Sequence, residues 1–121
     1  MGHVYQRVKL SAERAVTVRM LVDTGATYSV IPEALARAVG IKRLRRSVPI
    51  TLADRRRVKL DAGTAIVRIG AREAPATLLV GEVAEPILGV ETLEGLGLTV
   101  DPRRRRLAPS RHYAVRLGAF G

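Results

Sequence analysis

A hydrophobic strand feeds directly into an acid-threonine-glycine turn at Leu21-Val22-Asp23-Thr24-Gly25-Ala26, and that turn occurs once in 121 residues. Asp23 brings a carboxylate, a group that hydrolyses a peptide bond when two of them face each other, one ionised and one protonated. The ionised member takes a proton from a water, and the protonated member donates to the carbonyl that the water attacks. Two carboxylates about 3 Å apart cannot both stay ionised, so the pair holds one proton between them. A chain with one such turn needs its second acid from another copy, and a two-fold axis brings Asp23 onto itself. Thr24 offers a hydroxyl able to bridge the two turns. Gly25 lets the backbone pass close to its mate and brings an N–H to the carboxylate. Ala26 is small enough to continue that approach.

The other aspartates are weaker sources of a second acid. Asp61-Ala62-Gly63 lacks the Thr and follows Lys59-Leu60 rather than an apolar run, while Asp54 lies in a polar stretch. Asp101-Pro102 reads as a turn. With no Cys, the chain has no thiolate nucleophile, disulfide framework or Cys-based zinc site. His3 and His112 stand near opposite ends, outside any compact ligand pattern, so no metal site and no cofactor is expected.

The elements that must position Asp23 follow from the apolar spacing. Apolar residues make up 47% of the chain but aromatics only 3%, so the core is built from Val, Leu, Ile and Ala, a composition that favours strands. Strands are expected at 4–10 and 14–22, the second alternating through Val16, Val18, Met20 and Val22 until both faces become apolar beside Asp23. Residues 27–31 form a short return strand. Pro32 then opens a helix over 32–39 with Glu33 in its first turn, and Gly40 stops it. Strands at 47–52 and 58–60 flank a polar turn, Ala53-Asp54-Arg55-Arg56. After Gly63 a hairpin runs through 64–69 and 75–80, turning at Gly70-Ala71-Arg72. Pro86-Ile87-Leu88-Gly89 reads as a buried strand, 91–96 as a short helix, 98–100 as a strand and 103–107 as its continuation after a turn. Residues 108–121 read as an edge strand or loose tail of the same single domain, residues 1–121. The expected class is mostly β with two short helices.

The net charge of +10 comes mainly from Arg clustered at 43–46, 55–57 and 103–106. A solvated Arg-rich surface accounts for such runs first, and attraction of nucleic acid or other polyanions second. No aromatic residue is interleaved to stack bases. No segment is long and apolar enough to span a membrane, and no signal-like leader opens the chain, so a soluble, cytoplasmic protein is expected.

Leu21-Val22-Asp23-Thr24-Gly25-Ala26 combined with Ile87-Leu88-Gly89-Val90-Glu91-Thr92-Leu93 and Leu96-Gly97-Leu98-Thr99-Val100-Asp101-Pro102 resembles the retropepsin-like (clan AA) aspartic proteases, their small microbial members most closely. The likeness extends over roughly residues 4–107. It implies a closed β-barrel lobe that forms a two-fold symmetric homodimer, each subunit giving one Asp to a shared cleft in which a peptide or protein substrate is cleaved. It implies that Asp23 is catalytic, that Ile87, Leu88 and Gly89 cross behind the Asp turn and support it, and that the hairpin carrying Ala53, Asp54, Arg55 and Arg56 is the substrate-binding flap. The chain departs from the viral pattern in three places. The flap tip is Arg-rich rather than Gly-rich, which suits acidic or extended polar substrates. Val90 stands where viral enzymes carry an Arg that braces the dimer, and the helix after the active-site turn is an addition. The alternative function is a protease-like binding or assembly module that engages nucleic acid through its Arg-rich surface with little catalysis.

Overall fold

Alternating burial builds the first hairpin of the computed structural model, which describes residues 3–51 and 54–110. β1 (Val4–Ser11) and β2 (Ala15–Val22) pair antiparallel from Val4 opposite Val22 to Ser11 opposite Ala15. Val8, Leu10 and Met20 point inward and are fully buried, while Arg7, Lys9, Thr17 and Arg19 alternate with them on the solvent face. β3 (Ser29–Ile31) leads through Pro32 into α1 (Glu33–Val39), as the Pro and the first-turn Glu require. The helix ends in a paired cap: Gly40 N–H donates to Arg37 O at 3.1 Å and Ile41 N–H to Ala36 O at 3.0 Å. Arg14 reaches across from the first hairpin, donating from Nε to Ala38 O at 2.9 Å and from Nη2 to Arg37 O at 2.7 Å.

β4 (Arg43–Thr51), β5 (Arg57–Ile69) and β6 (Arg72–Val80) follow as an antiparallel meander, then β7 (Ile87–Leu88) and α2 (Val90–Gly95). The sheet order is β1-β2-β7-β3-β6-β5-β4, and β1 also pairs with β5 through Lys9–Ser11 and Ile66–Arg68. That extra pairing closes six strands into a barrel and leaves β4 outside it. Val8, Leu10, Met20, Ile31, Val67, Leu78 and Leu88 fill the interior together with Val39 of α1 and Leu93 of α2. β8 (Leu98–Asp101) and β9 (Arg106–Pro109) form a separate two-stranded sheet whose Val100 and Leu107 pack on the same core. The mostly-β class with two short helices is the one observed. The tail expected over 108–121 begins inside β9, and its residues 111–121 lie outside the described residues.

Two strand expectations need correction. β5 is one strand of 13 residues rather than two pieces interrupted near Gly63. It lies between β4 and β6, with Asp61 opposite both Ser47 and Val80, so ladder bonds on both sides carry it through. Gly63 marks a close approach instead of a break, because a Cβ there would sit 2.3 Å from Ile41 Cγ2 and 2.9 Å from Lys42 O. β4 likewise begins at Arg43 and not Ser47, across a bulge between those residues. Arg43 anchors this early start by pairing with Glu33 of α1 and, at 2.7 Å, with Asp61 Oδ2.

Candidate active site

The Asp turn is held from three directions by backbone hydrogen bonds. Leu21 N–H donates to Pro86 O at 2.9 Å and Asp23 N–H to Leu88 O at 3.0 Å, so β7 lies parallel to the end of β2 and fixes where the acid leaves the sheet. Ala26 N–H closes the turn on Asp23 O at 3.1 Å. Gly25 N–H donates to Asp23 Oδ1 at 2.9 Å, a bond to a charged acceptor that aims the carboxylate. No described residue bonds Oδ2. Asp23 and Ala26 are half-buried, whereas Thr24 and Gly25 are exposed.

Behind the turn, α2 spends its first free N–H groups on the Asp segment. Val90 N–H donates to Ala26 O and Glu91 N–H to Thr27 O, each at 2.9 Å. Gly89, which joins β7 to α2, lies against the backbone of Tyr28 and Ser29. Its N–H donates to Ser29 Oγ at 2.9 Å, and that hydroxyl shares a 2.6 Å hydrogen bond with Thr92 Oγ1. Ser29 and Thr92 are the only buried polar side chains among the described residues. Sequence reading identified Ile87, Leu88 and Gly89 behind the turn and missed this hydroxyl pair. Its only trace in sequence is a Ser on a short apolar strand and a Thr within the first turn of a short helix. Ser29→Ala should lower unfolding free energy by about 1–3 kcal/mol, read from the denaturant midpoint, because it strands a buried N–H and a buried hydroxyl.

Asp23, Gly25, Ala26, Thr27, Tyr28, Val30 and Ile87 line a cleft of about 600 Å³ with Pro49, Ile50 and Thr51 of β4. The β4–β5 hairpin therefore contributes a wall to the space in front of Asp23. At its turn Asp54 accepts from Arg56 N–H at 3.1 Å and from Arg56 Nε at 2.6 Å, while Arg55 takes a left-handed conformation with φ of 69°. Arg55 and Arg56 are exposed and none of the three lines the cleft; Ala53 lies outside the described residues. Among the described residues, Asp23 is the one carboxylate on the cleft wall. Asp54 is engaged by Arg56, Asp61 by Arg43, and Asp101 accepts from Arg103 N–H at 3.0 Å and Arg104 N–H at 3.3 Å. Among the described residues, no three His, Asp or Glu side chains converge as a metal site would require, and no helix is long and apolar enough to cross a membrane.

The model of the gag-polyprotein putative aspartyl protease family matches residues 8–95, which contain the Asp turn, β7 and α2. No curated protein matches the chain. Among solved structures, EIAV protease complexed with the inhibitor HBY-793 superposes with a TM-score of 0.66 at 21% identity, covering 83% of this chain and 93% of that one. That structure shares the fold. With a family match over most of its length and this fold, the chain belongs to the retropepsin-like gag-polyprotein putative aspartyl protease family.

Proposed function

We propose that the protein is an aspartic endopeptidase whose active site forms when two copies bring their Asp23 turns together. The observation that carries this reading is the isolation of Asp23: among the described residues it is the single carboxylate on a cleft of about 600 Å³. The other three aspartates are held by Arg side chains or by turn N–H groups elsewhere. The exposed Thr24 and Gly25 leave the turn open to a mate, and Gly25 N–H keeps Asp23 Oδ1 in place while no described residue bonds Oδ2.

In the dimer the two carboxylates share one proton, as like charges at such range must. The ionised carboxylate removes a proton from a water lodged between them. The resulting nucleophile attacks the scissile carbonyl, whose oxygen takes the proton from the other carboxylate. Collapse of the tetrahedral intermediate breaks the C–N bond as a carboxyl proton passes to the leaving amine. The residues needed are Asp23 from each copy, aimed by Gly25 and supported by Ile87, Leu88 and Gly89. No cofactor enters the reaction. In this reading the β4–β5 hairpin, with Asp54, Arg55 and Arg56 at its turn, serves as the cover of the cleft, a role supported by Pro49, Ile50 and Thr51 of β4 on the cleft wall.

Peptidase activity on a mixed peptide library, sampled from acidic to neutral pH, tests this reading together with sedimentation of the same protein. The expected result is cleavage by a dimer with a bell-shaped pH profile, because activity requires the singly protonated pair and falls on both sides of it. A folded dimer that cleaves nothing would sink the proposal. So would a fully active monomer at concentrations where no dimer sediments.

A further inference from the structure

The register of the barrel gathers four cations that are scattered in the sequence. Arg7 lies directly opposite Arg19 across β1 and β2, and Lys9 lies directly opposite Arg68 across β1 and β5. All four are exposed and share one face, with exposed Tyr5 and Thr17 beside them. Like charges in register destabilise a sheet, yet two such pairs adjoin here. None of the four makes an ion pair with a described residue. Arg19 instead lies 3.7 Å over the Tyr5 ring, and Arg68 Nε donates to Gly70 O at 2.9 Å. The one acid in register with them, Glu73 opposite Arg68, lies within ion-pair distance of no described cation.

This face runs without interruption into the cleft. Tyr5 is opposite Leu21, Leu21 is in register with Ile87, and Ile87 is in register with Val30. Side chains in register on neighbouring strands point to the same side of a sheet, and Ile87 and Val30 both line the cleft. Arg19 on β2 is four residues before Asp23, which directly follows the last residue of that strand, about 14 Å away at roughly 3.4 Å per residue. An extended peptide covers that distance in about four residues.

We infer that the Arg7, Lys9, Arg19 and Arg68 face is an exosite for an acidic segment of the polypeptide substrate, engaging Asp or Glu residues about four positions from the scissile bond. The inference rests on the endopeptidase reading and adds a substrate class to it. Charge complementarity supplies the selection, and continuity with the cleft supplies the geometry. The occupant is an acidic peptide because the same sheet face carries both the cations and the wall against which a peptide would be cleaved.

The double variant Arg7→Glu with Lys9→Glu tests it. Each change turns a like-charge cross-strand pair into an opposite-charge one, so the melting temperature is expected to hold or rise, and loss of binding cannot be blamed on loss of fold. Binding is read by fluorescence anisotropy with labelled hexaglutamate, hexaglutamine as the neutral control and a single-stranded oligo-dT as the nucleic-acid control. The expected outcome is salt-sensitive hexaglutamate binding that the double variant weakens about tenfold, with no hexaglutamine binding. In the peptide library, cleavage sites should be enriched for acids about four residues from the cut in wild type and lose that enrichment in the variant. Equal hexaglutamate binding by both proteins overturns the exosite, as does oligo-dT binding far tighter than hexaglutamate and lost in the variant. Cleavage without acidic enrichment overturns the exosite and leaves the peptidase standing. Hexaglutamate binding without any cleavage overturns the peptidase reading, and the exosite falls with it while the acidic-peptide surface remains.

Discussion

Asp23→Asn is expected to reduce peptide hydrolysis by about 10³-fold or more while leaving fold and dimer intact. The magnitude follows from the role: an amide can neither take a proton from water nor donate one and return it, and acid–base participation alone is worth about 10²–10⁴-fold. The structural cost is small because the turn is held by backbone groups. Asp23 N–H to Leu88 O and Ala26 N–H to Asp23 O do not involve the side chain, and Asn Oδ1 can still accept from Gly25 N–H. The variant also tests whether the site is shared. If each dimer needs two Asp23 carboxylates, mixing and re-pairing equal amounts of wild type and variant should place about half of the wild-type chains in inactive mixed dimers. Activity per wild-type chain then falls to about half. Full activity in such mixtures would mean that one carboxylate suffices, and the shared dyad would have to be abandoned.

What was legible in the sequence was local. The strand that leads into Asp23 alternates and then, over Met20-Leu21-Val22, closes into apolar residues on both faces, and Pro32 and Gly40 bracket α1. These signals depend on neighbours in the chain, so composition and spacing reveal them. The rest depends on residues far apart. Gly63 reads as a strand break until β4 and β6 are placed on either side of it, at which point it becomes the one residue able to pass beneath Ile41. Ser29 and Thr92 stand 63 residues apart, and neither has a partner in its own segment. Arg7, Lys9, Arg19 and Arg68 belong to none of the basic runs that dominate the sequence at 43–46, 55–57 and 103–106, and only strand register brings them together. The likeness to retropepsin-like proteases bridges some of this distance, since it links the Asp turn to Ile87-Leu88-Gly89 far along the chain.

The same dependence on distant contacts makes Gly89→Ala the second large effect. Gly89 has an ordinary extended backbone, with φ of −93° and ψ of 171°, so alanine meets no conformational penalty there. The obstacle is space: a Cβ would sit 2.4 Å from Tyr28 C, 2.5 Å from Tyr28 O and 2.9 Å from Ser29 N. These are backbone atoms, and β3 beyond them is paired to both β6 and β7, so they cannot swing aside as a side chain would. The substitution should cost about 3 kcal/mol, the upper part of the range for overpacking, and lower the melting temperature by on the order of 10 °C. Gly95 provides the control, because nothing lies within 4 Å of the Cβ it would gain in α2 and alanine favours a helix by about 0.5–1 kcal/mol. Activity should fall further than stability explains. Relief of the clash moves Tyr28, which lines the cleft, and breaks the Gly89 N–H bond to Ser29 Oγ. Measured below the melting point of the variant, a kcat loss in Gly89→Ala but not in Gly95→Ala would show that the crossing behind Asp23 sets the position of the acid. Equal melting temperatures for the two variants would contradict the close crossing itself.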